Sequence, residues 1–188
     1  MQIFKAAAAV AGLAAALSAP ALAGPLTGPF TVQYYQSNNA TPGSSTDPTQ
    51  QALPSAVAAI QAVPGSFTSP SFTYNGPLVL TQFSNPPLIN SFFASAGGTT
   101  SVVLPATTMS TGGFQNETLI KFTFTTVGTI SGSITHDDGI SLFKAGTTST
   151  DLVVAGAAKP TSALSTSFTL APGTYDLYTP RRTGRPRS

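Results

Sequence analysis

Four consecutive pieces decide the fold: Leu119-Ile-Lys-Phe-Thr-Phe-Thr-Thr126, Ile130-Ser-Gly-Ser-Ile-Thr135, His136-Asp-Asp-Gly139 and Ile140-Ser-Leu-Phe-Lys-Ala-Gly146. The first alternates Leu119, Lys121, Thr123 and Thr125 with Ile120, Phe122 and Phe124. The second alternates Ile130, Gly132 and Ile134 with Ser131, Ser133 and Thr135. A period of two residues puts apolar groups on one face and polar groups on the other, which marks half-buried strands. Between the second and third strands the adjacent carboxylates Asp137 and Asp138 repel each other, so water, backbone N–H groups or a cation must hold them. Gly139 supplies the positive φ of a tight turn linking neighbouring strands.

Outward from that stretch the same grammar continues. Ser165–Leu170 alternates, Ala171-Pro172-Gly173 turns, and Thr174–Tyr178 is a further strand. Asp151–Val154 and Val102–Leu104 read as short strands, as do Phe30–Tyr35 and much of Phe67–Leu80, from their aromatic and β-branched content. Thr49–Val63 differs. Ala52, Leu53, Ala56, Val57, Ala59 and Ile60 recur at spacings of three and four, Pro54 falls in the first turn, and Asp47 or Thr49 stands at the start. The spacing predicts a short amphipathic helix ended by Pro64-Gly65. Leu88–Ala96 predicts one or two helical turns carrying Phe92 and Phe93. The expected fold is all-β, an antiparallel β-sandwich or flattened barrel with one or two short helices in the N-terminal half.

Composition supports this class. The 188 residues contain no Cys and no Trp, and only 7% are charged. The absence of Cys rules out disulfides, zinc–thiolate sites and cysteine nucleophiles. Ser, Thr, Gly and Pro carry the polarity, which suits an extracellular, turn-rich protein. The formal net charge of +2 misleads, because Lys5 and four arginines lie near the chain ends. Residues 24–180 hold Lys121, Lys144 and Lys159 against Asp47, Glu117, Asp137, Asp138, Asp151 and Asp176. Such a mildly acidic body lacks the basic footprint that nucleic-acid binding needs.

The N-terminus reads as a leader over residues 1–23. Lys5 precedes an uncharged apolar run from Ala6 to Leu17, and Ala21-Leu22-Ala23 offers the small residues of a cleavage site. Gly24 is then the first mature residue. The run falls short of the ~20 residues a membrane span requires. The expectation is export to the periplasm, cell surface or medium, with no stable span after processing and one domain over residues 24–178. Residues 179–188 read as an irregular basic tail. Arg, Pro and Gly are what GC-rich codons give when read out of frame, so truncation or frameshift is expected there. A true basic tail for acidic surfaces is the second reading.

Gly132-x-Ile134-x-x-Asp137-Asp138-Gly139-x-x-Leu142-x-x-x-Gly146, with Phe168-x-Leu170-x-Pro172-Gly173-x-Tyr175, resembles the protective-antigen (PA-fourteen) domain family. The resemblance is to the exported bacterial members with a PEP-CTERM sorting signal, and it covers roughly the second half of the mature chain. It implies a β-sandwich or flattened barrel. In sugar-binding members paired Asp residues hold calcium, which binds glycan hydroxyls; by position these are Asp137 and Asp138. Calcium takes ~6–8 oxygen ligands, so the pair needs help from other loops. The other reading of Asp137 and Asp138 is as turn-capping acceptors of backbone N–H bonds.

Catalytic constellations are weak. His136 is the single His, and its neighbour Asp137 points to the opposite face if the strand continues. No Gly-x-Ser-x-Gly is present. Glu117, Asp151 and Asp176 read as scattered, solvated charges, and five Tyr need no sugar-stacking role. The sequence therefore reads as an exported, non-enzymatic surface or matrix protein. The alternative is a calcium-dependent carbohydrate-binding module for extracellular polysaccharide or cell-surface glycan.

Overall fold

The computed structural model describes residues 26–39, 47–78, 88–95, 97–109, 117–136, 139–148, 150–153 and 164–181. Within them lie strands β1 (Phe30–Gln36), β2 (Phe67–Thr68), β3 (Phe72–Asn75), β4 (Thr99–Thr100), β5 (Thr118–Thr126), β6 (Ile130–His136), β7 (Ser141–Lys144), β8 (Leu164–Leu170) and β9 (Gly173–Arg181). Helices α1 (Pro54–Gln61) and α2 (Ile89–Ala94) both fall in the N-terminal half, as the spacing predicts.

The strands form two antiparallel layers. The large sheet has seven strands in the order β4-β3-β1-β5-β9-β7, with β2 also paired to β1; the small sheet is β6-β8. Register across the large sheet follows the apolar alternation. Val32 faces Phe72 and Phe122, Tyr34 faces Ile120, Phe122 faces Leu177, and Leu142 faces Leu177. One face is thereby made almost wholly apolar, and it must be covered. Leu170, Ile130, Ile134 and Phe168 from the small sheet pack against it, as do Ile89, Phe92 and Phe93 of α2. The result is an all-β sandwich whose second layer is part sheet and part helix.

Among the described residues, the opposite face of the large sheet is covered at one end. There Ala52, Ala56 and Ile60 pack on Tyr35, Leu119, Phe143 and Tyr178. This explains why Leu119 is buried although it stands on the polar side of β5's alternation. Pro54 occupies the first turn of α1, where its missing N–H costs nothing. A 3-10 turn precedes α1 at Pro48–Gln50. Asp47 caps that turn, its Oδ1 accepting from the Thr49 N–H at 2.9 Å and from the Thr49 hydroxyl at 2.8 Å.

Three strand expectations need correction. Val102–Leu104 is not a strand: β4 ends at Thr100, the last bond to β3 comes from the Ser101 N–H to the Thr73 carbonyl, Val103 is fully exposed, and only Leu104 turns inward. Asp151–Val153 is a bend beside β7, and Val154 lies outside the described residues. Thr179–Arg181 is not irregular, because β9 runs through Arg181, pairing Pro180 with Leu119 and Arg181 with Thr118. Pro180 is tolerated there because β7 covers β9 only as far as Tyr178, leaving an edge that needs no N–H.

Candidate functional site

Asp137 and Asp138 lie outside the described residues, but the chain on either side of them is placed. β6 ends at His136 in the small sheet, and β7 begins at Ser141 in the large one. The acid pair therefore belongs to a connection between layers, not to a hairpin between paired neighbours. Alternation fixes which face a strand buries but not which strand it pairs with, and here β6 pairs with β8 while β7 pairs with β9. Gly139 has φ +94°, as its place after the acid pair requires, and its carbonyl accepts from the Thr179 hydroxyl at 3.3 Å. Ile140 enters the core immediately afterwards.

The remaining acids are not solvated, contrary to the sequence reading. Glu117 is 1% exposed at the start of β5, and Asp176 is 6% exposed in β9. Asp151 is half-buried and has a structural task. Its Oδ1 accepts from the Leu142 N–H at 2.9 Å and the Val153 N–H at 3.1 Å, while the Leu152 N–H donates to the Leu142 carbonyl at 2.7 Å. The outer edge of β7 is thus closed by a side chain and one backbone bond, where an exposed edge would invite a foreign strand. Burial pushes the Asp151 carboxyl above its ordinary range, and the two N–H bonds pull it part of the way back.

That balance separates two substitutions. Asp151→Asn keeps an oxygen for both N–H groups and removes the buried charge, so stability at neutral pH is expected to hold or rise. Asp151→Ala orphans the Leu142 donor at a cost of about 1–2 kcal/mol. Denaturant midpoints of the two variants check this.

Away from α1, the outer face of the large sheet carries a polar cluster built by register. Thr31, Thr123 and Asp176 stand in one cross-strand row, and Gln33, Lys121 and Tyr178 in the next. Lys121 Nζ lies 3.2 Å from Asp176 Oδ2 and 5.9 Å from the centre of the Tyr178 ring. The Thr123 hydroxyl donates to Asp176 Oδ1 at 2.6 Å. The Tyr35 hydroxyl donates to Gln33 Oε1 at 2.6 Å, and Gln33 Nε2 donates to the Ser69 carbonyl at 3.0 Å. Sequence reading passed over this cluster. The available signal was that Lys121, Thr123 and Asp176 all fall on the polar side of their strands.

Burial, with the Asp176 charge and Tyr35 adding to it, pushes the Tyr178 phenol up to about 12. A phenol raised from 10 in the unfolded chain gives stability that is complete below pH 10 and is lost as pH rises towards 12, because the folded state holds the extra proton. Tyrosinate absorbance and circular dichroism are expected to change together in that window. Tyr178→Phe should move the onset of unfolding to higher pH.

Elsewhere all five tyrosines are wholly or largely buried, so none offers a ring face to a sugar. A groove of about 460 Å³ opens between α2 and β4, lined by Asn90, Phe93 and Val102–Leu104. Among the described residues no three His, Asp or Glu side chains gather as a ligand set. No family model matches the chain, and neither the curated proteins nor the solved structures include one that is similar to it.

Proposed function

We propose that this chain is an exported, non-enzymatic surface or extracellular-matrix protein built on a protective-antigen-like β-sandwich. What supports the reading is the leader-like sequence of residues 1–23 together with a charge-poor, hydroxyl-surfaced sandwich. The outer face of the small sheet presents Ser131, Ser133, Ser165, Ser167 and Thr169, all exposed, with Ser131 and Thr169 hydrogen-bonded at 2.9 Å. Hydroxyls keep such a face wet without charge, which suits a protein surrounded by neutral polysaccharide. Among the described residues no helix is long and apolar enough to cross a membrane.

The test is expression from Met1 in a bacterial host, followed by fractionation and N-terminal sequencing. The expected product begins at Gly24 and is found outside the cytoplasm. A cytoplasmic product that keeps its first residues overturns the reading.

A second reading, a calcium-dependent carbohydrate-binding module, is supported by the sequence resemblance that matches Asp137 and Asp138 to a calcium-holding pair. Its prediction is thermal. Calcium at a hundredfold excess over its Kd adds about 2.7 kcal/mol, a rise of roughly 5–10 °C for a domain of this size. Asp138→Asn should abolish the rise. A melt insensitive to calcium removes this reading and leaves the first intact.

A further inference from the structure

The polar cluster on the outer face of the large sheet lines a cleft of about 110 Å³, bounded by Thr31, Gln33, Ser71, Lys121 and Thr123. We propose that this cleft is a calcium-independent subsite for the edge of one neutral sugar residue, separate from the Asp137-Asp138 connection. The choice of a sugar rests on the polysaccharide-facing reading above; the cleft itself does not.

Hydrogen-bonding capacity argues the ligand's chemistry. Lys121 spends one of its three N–H bonds on Asp176 and keeps two. Gln33 spends its oxygen on Tyr35 and one N–H on Ser69, and keeps one N–H. Thr123 gives its proton to Asp176, so its lone pairs remain to accept. Donors therefore stand beside a fixed acceptor. A pair of neighbouring sugar hydroxyls satisfies both, each accepting from Lys121 or Gln33 while one donates to Thr123.

Charge and size narrow the class. Asp176, 6% exposed, neutralises Lys121 at contact distance, so a phosphate, sulfate or uronate gains little from the ammonium and meets a carboxylate behind it. The volume equals roughly four waters, far below a pocket that encloses a whole drug-sized ligand. It suits a ring edge with the rest of the polymer lying across the sheet. Lys121 is already held by Asp176 and Tyr178, so binding need not order a free side chain.

The experiment is an NMR titration of the full isotope-labelled chain in EDTA with methyl glucoside, methyl mannoside and methyl galactoside, and with glucuronate as the anionic control. At least one neutral glycoside is expected to shift the signals of Thr31, Gln33, Lys121 and Thr123 saturably. Thr31→Trp fills the cleft from an exposed strand position and should weaken binding at least tenfold. Lys121→Met should weaken it at least fivefold. Should Lys121→Met fail to fold, Thr31→Trp decides alone. Absence of saturable shifts, binding unchanged in Thr31→Trp, or a response to glucuronate alone overturns the subsite. Sugar binding that appears only with calcium, and is lost in Asp138→Asn, overturns it too while preserving the glycan-binding reading. Failure of export is read separately, from the N-terminus of the product.

Discussion

Phe93→Ala is expected to lower stability by about 3–5 kcal/mol, the range for emptying a buried aromatic site. Phe93 is 1% exposed and joins α2 to the large sheet through three ring contacts, with a fourth to Phe92 inside α2. Its centroid lies 5.4 Å from Phe72, Tyr74 and Phe92 and 6.0 Å from Phe122, and the Phe72 and Phe92 rings meet it edge to face. Each such pair adds about 0.5–1.5 kcal/mol beyond burial. α2 has only six residues and no side-chain cap at its N-terminus, so it cannot hold its shape without this seat. Denaturant unfolding reads the loss as a fall in midpoint. Val103→Ala, at a fully exposed position on the rim of the neighbouring groove, should stay within about 0.5 kcal/mol. A loss below about 1 kcal/mol for Phe93→Ala would mean that α2 is not seated on the sheet.

Gly98→Ala is the second large effect, of about 3 kcal/mol, at the upper end of what overpacking costs. A Cβ at Gly98 would stand 2.5 Å from both Cζ and the hydroxyl of Tyr74. That ring cannot retreat. Tyr74 is fully buried, stacks near Phe30 at 6.1 Å, and donates its hydroxyl proton to the Pro77 carbonyl at 3.1 Å. Gly98 is thus a close-approach residue, where the chain entering β4 passes against the Tyr74 ring. Gly128→Ala is the control. Nothing lies within 4 Å of a Cβ there, so the melting temperature should barely move. Equal melting temperatures for the two variants would remove the packing argument.

Much of the architecture was legible because alternation is a local signal. Ile120, Phe122 and Phe124 announced the buried face of β5, and Ala52, Ala56 and Ile60 announced the inner stripe of α1 with its lead-in. Val102 and Val103 misled because β-propensity describes a fit to a half-buried surface, and the chain offers those residues none. Asp151 was misread for a related reason. A carboxylate two residues before Val153 is a turn acceptor whenever an N–H is within reach, and the strand pattern obscured it. The Lys121–Asp176–Thr123 cluster was beyond any local pattern. It depends on the register between β5 and β9, whose members are some fifty residues apart in sequence. The acid pair at Asp137 and Asp138 was the conspicuous motif, and the structure describes its flanks, not the pair.

From β5 to β9 the chain changes layer at every step: large sheet, small, large, small, large. Neither layer can be finished from consecutive segments, so each must wait for residues synthesised later. Such non-local wiring slows folding to roughly the millisecond-to-second range. Under the export reading proposed above, that delay has a use: a chain slow to compact stays extended long enough to be threaded outward.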